Sequence, residues 1–140
     1  MTVIIPKEFT DTFINNQIAE LKRSISECIS ELANLRNRIY YLNNTLATFQ
    51  NMKRDHLNQA RTLNAQFGFQ GSFLSSGDYA MLAHYDSNII KSHNELLEAG
   101  NKITQYEQRK SEDEAKKREL EALLLKTEEQ RAEEYYSRLH

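Results

Sequence analysis

A seven-residue apolar repeat in the first half of this chain constrains its fold more than any other feature. It reads Ile14, Ile18, Leu21, Ile25, Cys28, Leu32, Leu35, Ile39, Leu42, Leu46 and Phe49, weakens through Lys53, His56 and Ala60, and resumes at Leu63 and Phe67. The steps alternate four and three, which keeps one stripe of a long α-helix turned toward a partner helix. A chain patterned this way buries its apolar surface along a seam and has little interior in which to build a catalytic pocket. The repeat therefore predicts a protein that acts by contact.

The rest of the chain supplies the partner. Its 140 residues suit one domain, and its only proline is Pro6, so nothing after that position forbids long helices. Pro6 suits a first helical turn, and a first helix is expected over about residues 7–66. A break at about 67–77 holds three of the four glycines and a cluster of serines, the composition of a turn. A second helix is expected over about 78–138, with Ser76 or Asp78 as its N-cap. Its stripe runs Leu82, Tyr85, Ile89, Ser92, Leu96, Ala99, Ile103, Tyr106, then Lys110, Asp113 and Lys117, then Leu120 and Leu124. Gly100 lies inside it, as a soft point or a close helix contact, without splitting it. Two helices of about sixty residues, each roughly 90 Å long at 1.5 Å per residue, joined by a short connection, predict an all-α fold: one long two-helix antiparallel coiled-coil hairpin.

Folding about Gly71 sets Leu96 opposite Phe49 and Leu120 opposite Ile25. The charged stretch 107–119 then faces Leu32 and Leu35. Two readings stand there: long Lys and Arg stems cover the leucines, or Leu32 and Leu35 are left for a third partner, another protein. The aromatics of the break, Phe69 and Phe73 among them, either cap the coiled coil or form an exposed docking patch. Tyr40-Tyr41 and Tyr135-Tyr136 are adjacent pairs that cannot all face one seam. At least one Tyr of each pair is expected at a flank or in solvent, where Tyr suits a protein interface.

Chemistry is hard to place on this chain. The net charge is -2 with both signs interleaved, which argues against a nucleic-acid partner. Cys28, the single cysteine, sits on the stripe as a small hydrophobe. The histidines, His56, His84, His93 and His140, form no HExxH or ExxH pair, and no P-loop, CxxC or GxGxxG occurs. No catalytic residue, metal site or cofactor is expected, and the chain is not read as an enzyme. No segment is apolar enough to insert in a membrane, and the opening MTVIIPKEF lacks the character of a signal peptide. The expected location is the cytoplasm.

On both sides of the break the residues resemble a known family. The segment Phe49-Gln50-Asn51-Met52-Lys53-Arg54-Asp55-His56-Leu57 is similar to an aromatic-Gln-Asn segment of the flagellar export protein FliJ. Asp78-Tyr79, Leu82, Ile89-Ile90, His93 and Leu97 fall at the spacing of a matching stretch. The tail, from Leu123-Leu124-Leu125 through Tyr135-Tyr136, resembles the ending of the shorter injectisome stalk proteins. The resemblance to this type III secretion stalk family implies a central stalk standing in a hexameric secretion ATPase and reaching the cytoplasmic domain of a membrane export gate, with secretion chaperones as a further class of partner. It implies gate-contacting positions at Leu46, Phe49, Leu82, Ile89 and His93. Two more such positions hold Lys53 and Asp86, where the family pattern is apolar or aromatic. A tethering coiled-coil subunit of a larger assembly, or an escort for secretion chaperones, are the other readings.

Overall fold

A computed structural model describes residues 3–66 and 74–139. Among them every regular element is helical: a 3₁₀ turn over Lys7–Phe9, then α1 over Asp11–Gln66, α2 over Ser76–Leu124 and α3 over Glu128–Arg138. The fold is all-α, and the two long helices pack against each other. The chain divides into two compact units, one joining Met1–Ala33 to Thr104–His140, the other formed by Asn34–Ile103.

In the first unit the apolar repeat of α1 is buried at Ile14, Ile18, Cys28 and Leu32. The facing stripe of α2 is polar there, and its long side chains supply the cover. Lys110 and Lys117 are half-buried, their stems along the seam and their ammonium groups paired with Glu114 and Glu121 one turn on. The Ser24 hydroxyl donates to the Asp113 carboxylate, and Arg109 Nη2 donates to Ser24 Oγ at 2.8 Å and to Glu27 Oε2 at 3.5 Å. A charged stretch can face an apolar helix because each carboxylate that approaches the seam finds a donor.

In the second unit both helices contribute buried residues. Leu35, Leu42 and Ala60 are buried on one side, Ser92 and Ala99 on the other. Leu35 and Ala99 line one groove together with the ion-paired Arg38 and Glu95. Further ties are Lys53 Nζ to Asp86 Oδ1 at 2.7 Å and His56 Nε2 to Asp78 Oδ1 at 2.8 Å. Within the unit, positions that rise along α1 meet positions that fall along α2.

Those pairs correct the expected register. Ser24 meets Asp113, Arg38 meets Glu95 and the Phe49 ring lies 6.5 Å from His84. Each partner on α2 sits about two to three turns earlier than folding about Gly71 would place it. The charged stretch therefore faces the region around Ser24 and Glu27, while Leu35 faces Ala99. The same offset ends the seam early. Ala60 is buried but Leu63 is 53 % exposed, because with His56 already at Asp78, Leu63 lies past the first residue of α2. Phe67 falls outside the described residues.

The helix ends also differ from expectation. α1 starts at Asp11, not at residue 7: Thr10 is extended (φ -74°, ψ 148°), its hydroxyl donating to Lys7 O and accepting the Phe13 amide. The cap of α2 is Ser75. Its hydroxyl accepts the Asp78 amide at 3.1 Å, and Asp78 returns the favour by accepting the Ser75 amide at 2.9 Å. The second long helix does not reach residue 138. It stops at Leu124, where Leu125 and Lys126 turn tightly onto Ala122 O and Leu123 O. Thr127 then opens α3 with a reciprocal capping box to Gln130. α2 runs unbroken through Gly100, and a Cβ built there meets nothing within 4 Å; close helix contact is not the reason for this glycine.

Candidate interaction surface

The residues singled out from sequence divide into three groups once their surroundings are known. Leu46, Phe49, Leu82 and Ile89 are half-buried on the facing stripes of α1 and α2 in the second unit, while His93 is exposed. Lys53 and Asp86, where the resemblance implied an apolar or aromatic residue, are bonded to each other at 2.7 Å. They form one ionic contact between α1 and α2, each charge partnered by the other.

Tyr40 and Tyr41 are exposed, at 72 % and 67 %. Both rings of this pair stand in solvent. They lie in a window the sequence reading passed over: between Arg38 and Lys53, α1 carries no charged residue. On α2 across that window, Asp86 and Glu95 are drawn toward α1 by Lys53 and Arg38. Ile90 and Leu97, seven residues apart and so on one face of α2, are exposed, as is Met52 on α1. Depletion of charge together with exposed Tyr, Met and aliphatic side chains is the composition of a protein-binding surface. A scan for uncharged windows on an otherwise charged helix could have found it.

Leu32 and Leu35 do not remain open for another protein. They are only 4 % and 9 % exposed, and the displaced register explains why: Leu35 has Ala99 opposite it, and the charged stretch lies elsewhere. Tyr135 and Tyr136 each make a contact within the chain while staying partly exposed, at 40 % and 37 %. The Tyr135 ring packs on Phe9 at 5.2 Å, and the Tyr136 hydroxyl donates to Ile4 O at 3.1 Å. Phe69 and Phe73 lie outside the described residues.

Where α2 begins, polar groups converge beside a groove of about 260 Å³ lined in part by His56, Ala60, Leu63 and Asp78. The Ser75 backbone amide and hydroxyl, and then His56, hold the Asp78 carboxyl below its ordinary value of 3.8. One carboxylate thus caps α2 and ties it to α1.

Sequence reasoning missed Arg131 entirely. It is 2 % exposed, and all its polar atoms point at partners. Nε donates to Leu123 O and Nη2 to Lys126 O, both at 2.6 Å; Nη1 donates to Phe9 O at 2.9 Å and reaches Asp11 Oδ1 at 2.7 Å. The guanidinium thus takes the Lys126 carbonyl in the turn after α2 and adds a second bond to Leu123 O, which also accepts the Lys126 amide. The signal available was Thr127-Glu128-Glu129-Gln130, a capping-box pattern that announces a new helix.

Among the described residues no cluster of three or more His, Cys, Asp or Glu could hold a metal ion, and no helix is long and apolar enough to cross a membrane. No family model, curated protein or solved structure matches the chain.

Proposed function

We propose that this protein is a central stalk of a type III secretion export apparatus. In this reading α1 and α2 form one long antiparallel coiled-coil hairpin that couples a hexameric ATPase to the export gate through contact alone. The supporting observation is that the gate positions implied by the resemblance, Leu46, Phe49, Leu82, Ile89 and His93, belong to the same unit as the uncharged, Tyr-bearing window of α1. Helix pairs that oppose in number within each unit suit the hairpin. A stalk needs a stiff pair of helices and a patch that a partner can cover without burying unpaired charge. The Lys53–Asp86 pair fits as well, since it leaves neither charge for a partner to neutralise.

The test is reconstitution with the export ATPase of the same secretion system. The folded protein should bind at one copy per hexamer and raise ATP hydrolysis. A folded protein that neither binds nor activates that ATPase refutes the stalk. The exposed window would equally serve a tethering coiled-coil subunit, and stoichiometry separates the two: a scaffold subunit forms stable oligomers without any ATPase.

A further inference from the structure

We propose that α3 is a clasp, a helix that opens as a unit about residues 125–127 while α1 and α2 stay folded, and that Arg131 is the catch that holds it shut. The helix has 11 residues, below the roughly 12–15 at which even strong helix formers become stable alone. It therefore depends on docking. Yet only Arg131 and Ala132 of its side chains are buried. Its remaining ties are polar or partly exposed: Lys126 with Glu134 at 2.7 Å, the Asp11 amide to Glu128 Oε1 at 3.0 Å, the Tyr136 hydroxyl to Ile4 O, and Tyr135 on Phe9.

Arg131 joins three pieces of chain through one planar group. Two donors face the end of α2 and the turn after it, and the third faces the backbone and carboxylate that begin α1. A guanidinium used in this way acts as a single point of failure: the bonds it gives to Leu123 O, Lys126 O and Phe9 O are lost together when it leaves. The turn at 125–127 is suited to swing, since Leu125 is 89 % exposed and packs on little. Opening uncovers Phe9 and Leu123, which with Tyr135 now line the small groove beside Arg131. It also releases the segment before α1. Segments with few buried apolar contacts open at free energies well below that of global unfolding, and they do so cooperatively. The clasp is a property of the chain alone and needs no ATPase partner.

Hydrogen exchange on the full-length protein, read by mass spectrometry, tests this. Amides of 128–138 should exchange together and at least about tenfold faster than those of 14–32. Arg131→Met should speed exchange in 128–138 about tenfold or more and leave 14–32 within about twofold, the loss expected when charge-assisted bonds are removed. Asp11→Asn, which leaves the three carbonyl bonds in place, is the milder variant and should give a rise of about threefold, since the Asp11 carboxylate is 59 % exposed. Exchange of 128–138 in step with 14–32 overturns the clasp, as does an Arg131→Met protein in which both regions accelerate alike. If Arg131→Met does not fold, the Asp11→Asn protein decides: unchanged exchange in 128–138 refutes the catch.

Discussion

Replacing Lys53 and Asp86 together by leucine should stabilise the second unit. The two side chains are 37 % and 48 % exposed and bonded at 2.7 Å. A pair with that much solvent contributes only about 0–1 kcal/mol to folding. A fully buried Leu gains about 1.5–3 kcal/mol, so two roughly half-buried ones gain about 2 kcal/mol between them. The net expectation is a gain of about 1–2 kcal/mol for the double variant. Lys53→Leu or Asp86→Leu alone should fall short of half that gain, because each leaves one charge on a half-apolar seam without its partner. Urea unfolding followed by far-ultraviolet circular dichroism, run as a double-mutant cycle, measures all four proteins. A double variant less stable than the parent would refute the view that an apolar contact here outweighs this pair. So would two single effects that simply add.

Other expected outcomes follow from burial and chemistry. Leu42→Ala, at a site 3 % exposed, should cost about 2–3 kcal/mol, the lower part of the usual core range because the seam is thin, whereas Leu63→Ala should cost under about 1 kcal/mol; equal losses in urea titrations would restore the longer seam. Gly100→Ala should stabilise by about 0.5–1 kcal/mol, since the position is helical and a Cβ there meets nothing; a lower midpoint would mean a steric need for glycine. The Asp78 carboxyl is held below 3.8 in the folded chain, so its contribution is present above that value and is lost as pH falls through the lowered one. Asp78→Asn should accordingly flatten the loss of stability on acidification below about pH 4, and an unchanged urea midpoint profile would show that the cap carries no linkage. Tyr40→Ala with Tyr41→Ala should leave stability within about 0.5 kcal/mol while weakening capture of the partner's cytoplasmic domain at least about tenfold; full retention of capture would place the contact elsewhere.

Much of this architecture is written in the four-three stripe, because burial along a helix pair depends on periodicity alone. Every position of the α2 stripe from Leu82 to Leu124 is buried or half-buried, including Lys110, Asp113 and Lys117. What periodicity cannot carry is register. A heptad pattern fits equally well after a slide by one repeat, and centring the fold on Gly71 assumed a symmetric connection. Short-range polar chemistry decided the helix ends instead: Thr10, Ser75 and Thr127 each offered a hydroxyl that competes with continuation of a helix. The candidate surface was half legible. The tyrosine pairs stand out in sequence, but one pair is solvated and the other engaged with Phe9 and Ile4. Only the chain that folds back on them tells these apart.

Register in this protein is set by mismatch rather than by the stripe. Where α1 offers Leu35, α2 offers Ala99, and a slide by one heptad would bring Ser92 or Tyr106 to that leucine. Tyr106 would overfill the space and Ser92 would lose its present packing at 5 % exposure. The polar pairs act in the same direction. A slide would part Ser24 from Asp113 in the first unit, and His56 from Asp78 together with Lys53 from Asp86 in the second. Carboxylates beside the seam would then lack donors, and the cost of an unpaired buried or half-buried charge exceeds the small gain that each pair brings. These contacts therefore contribute little to stability in the native register and a great deal against the alternatives. On the docking role proposed for Tyr40, Tyr41 and His93, that asymmetry holds the three side chains at fixed positions along their helices. One slipped repeat would move those side chains by about 10 Å at 1.5 Å per residue, farther than a docking partner could follow.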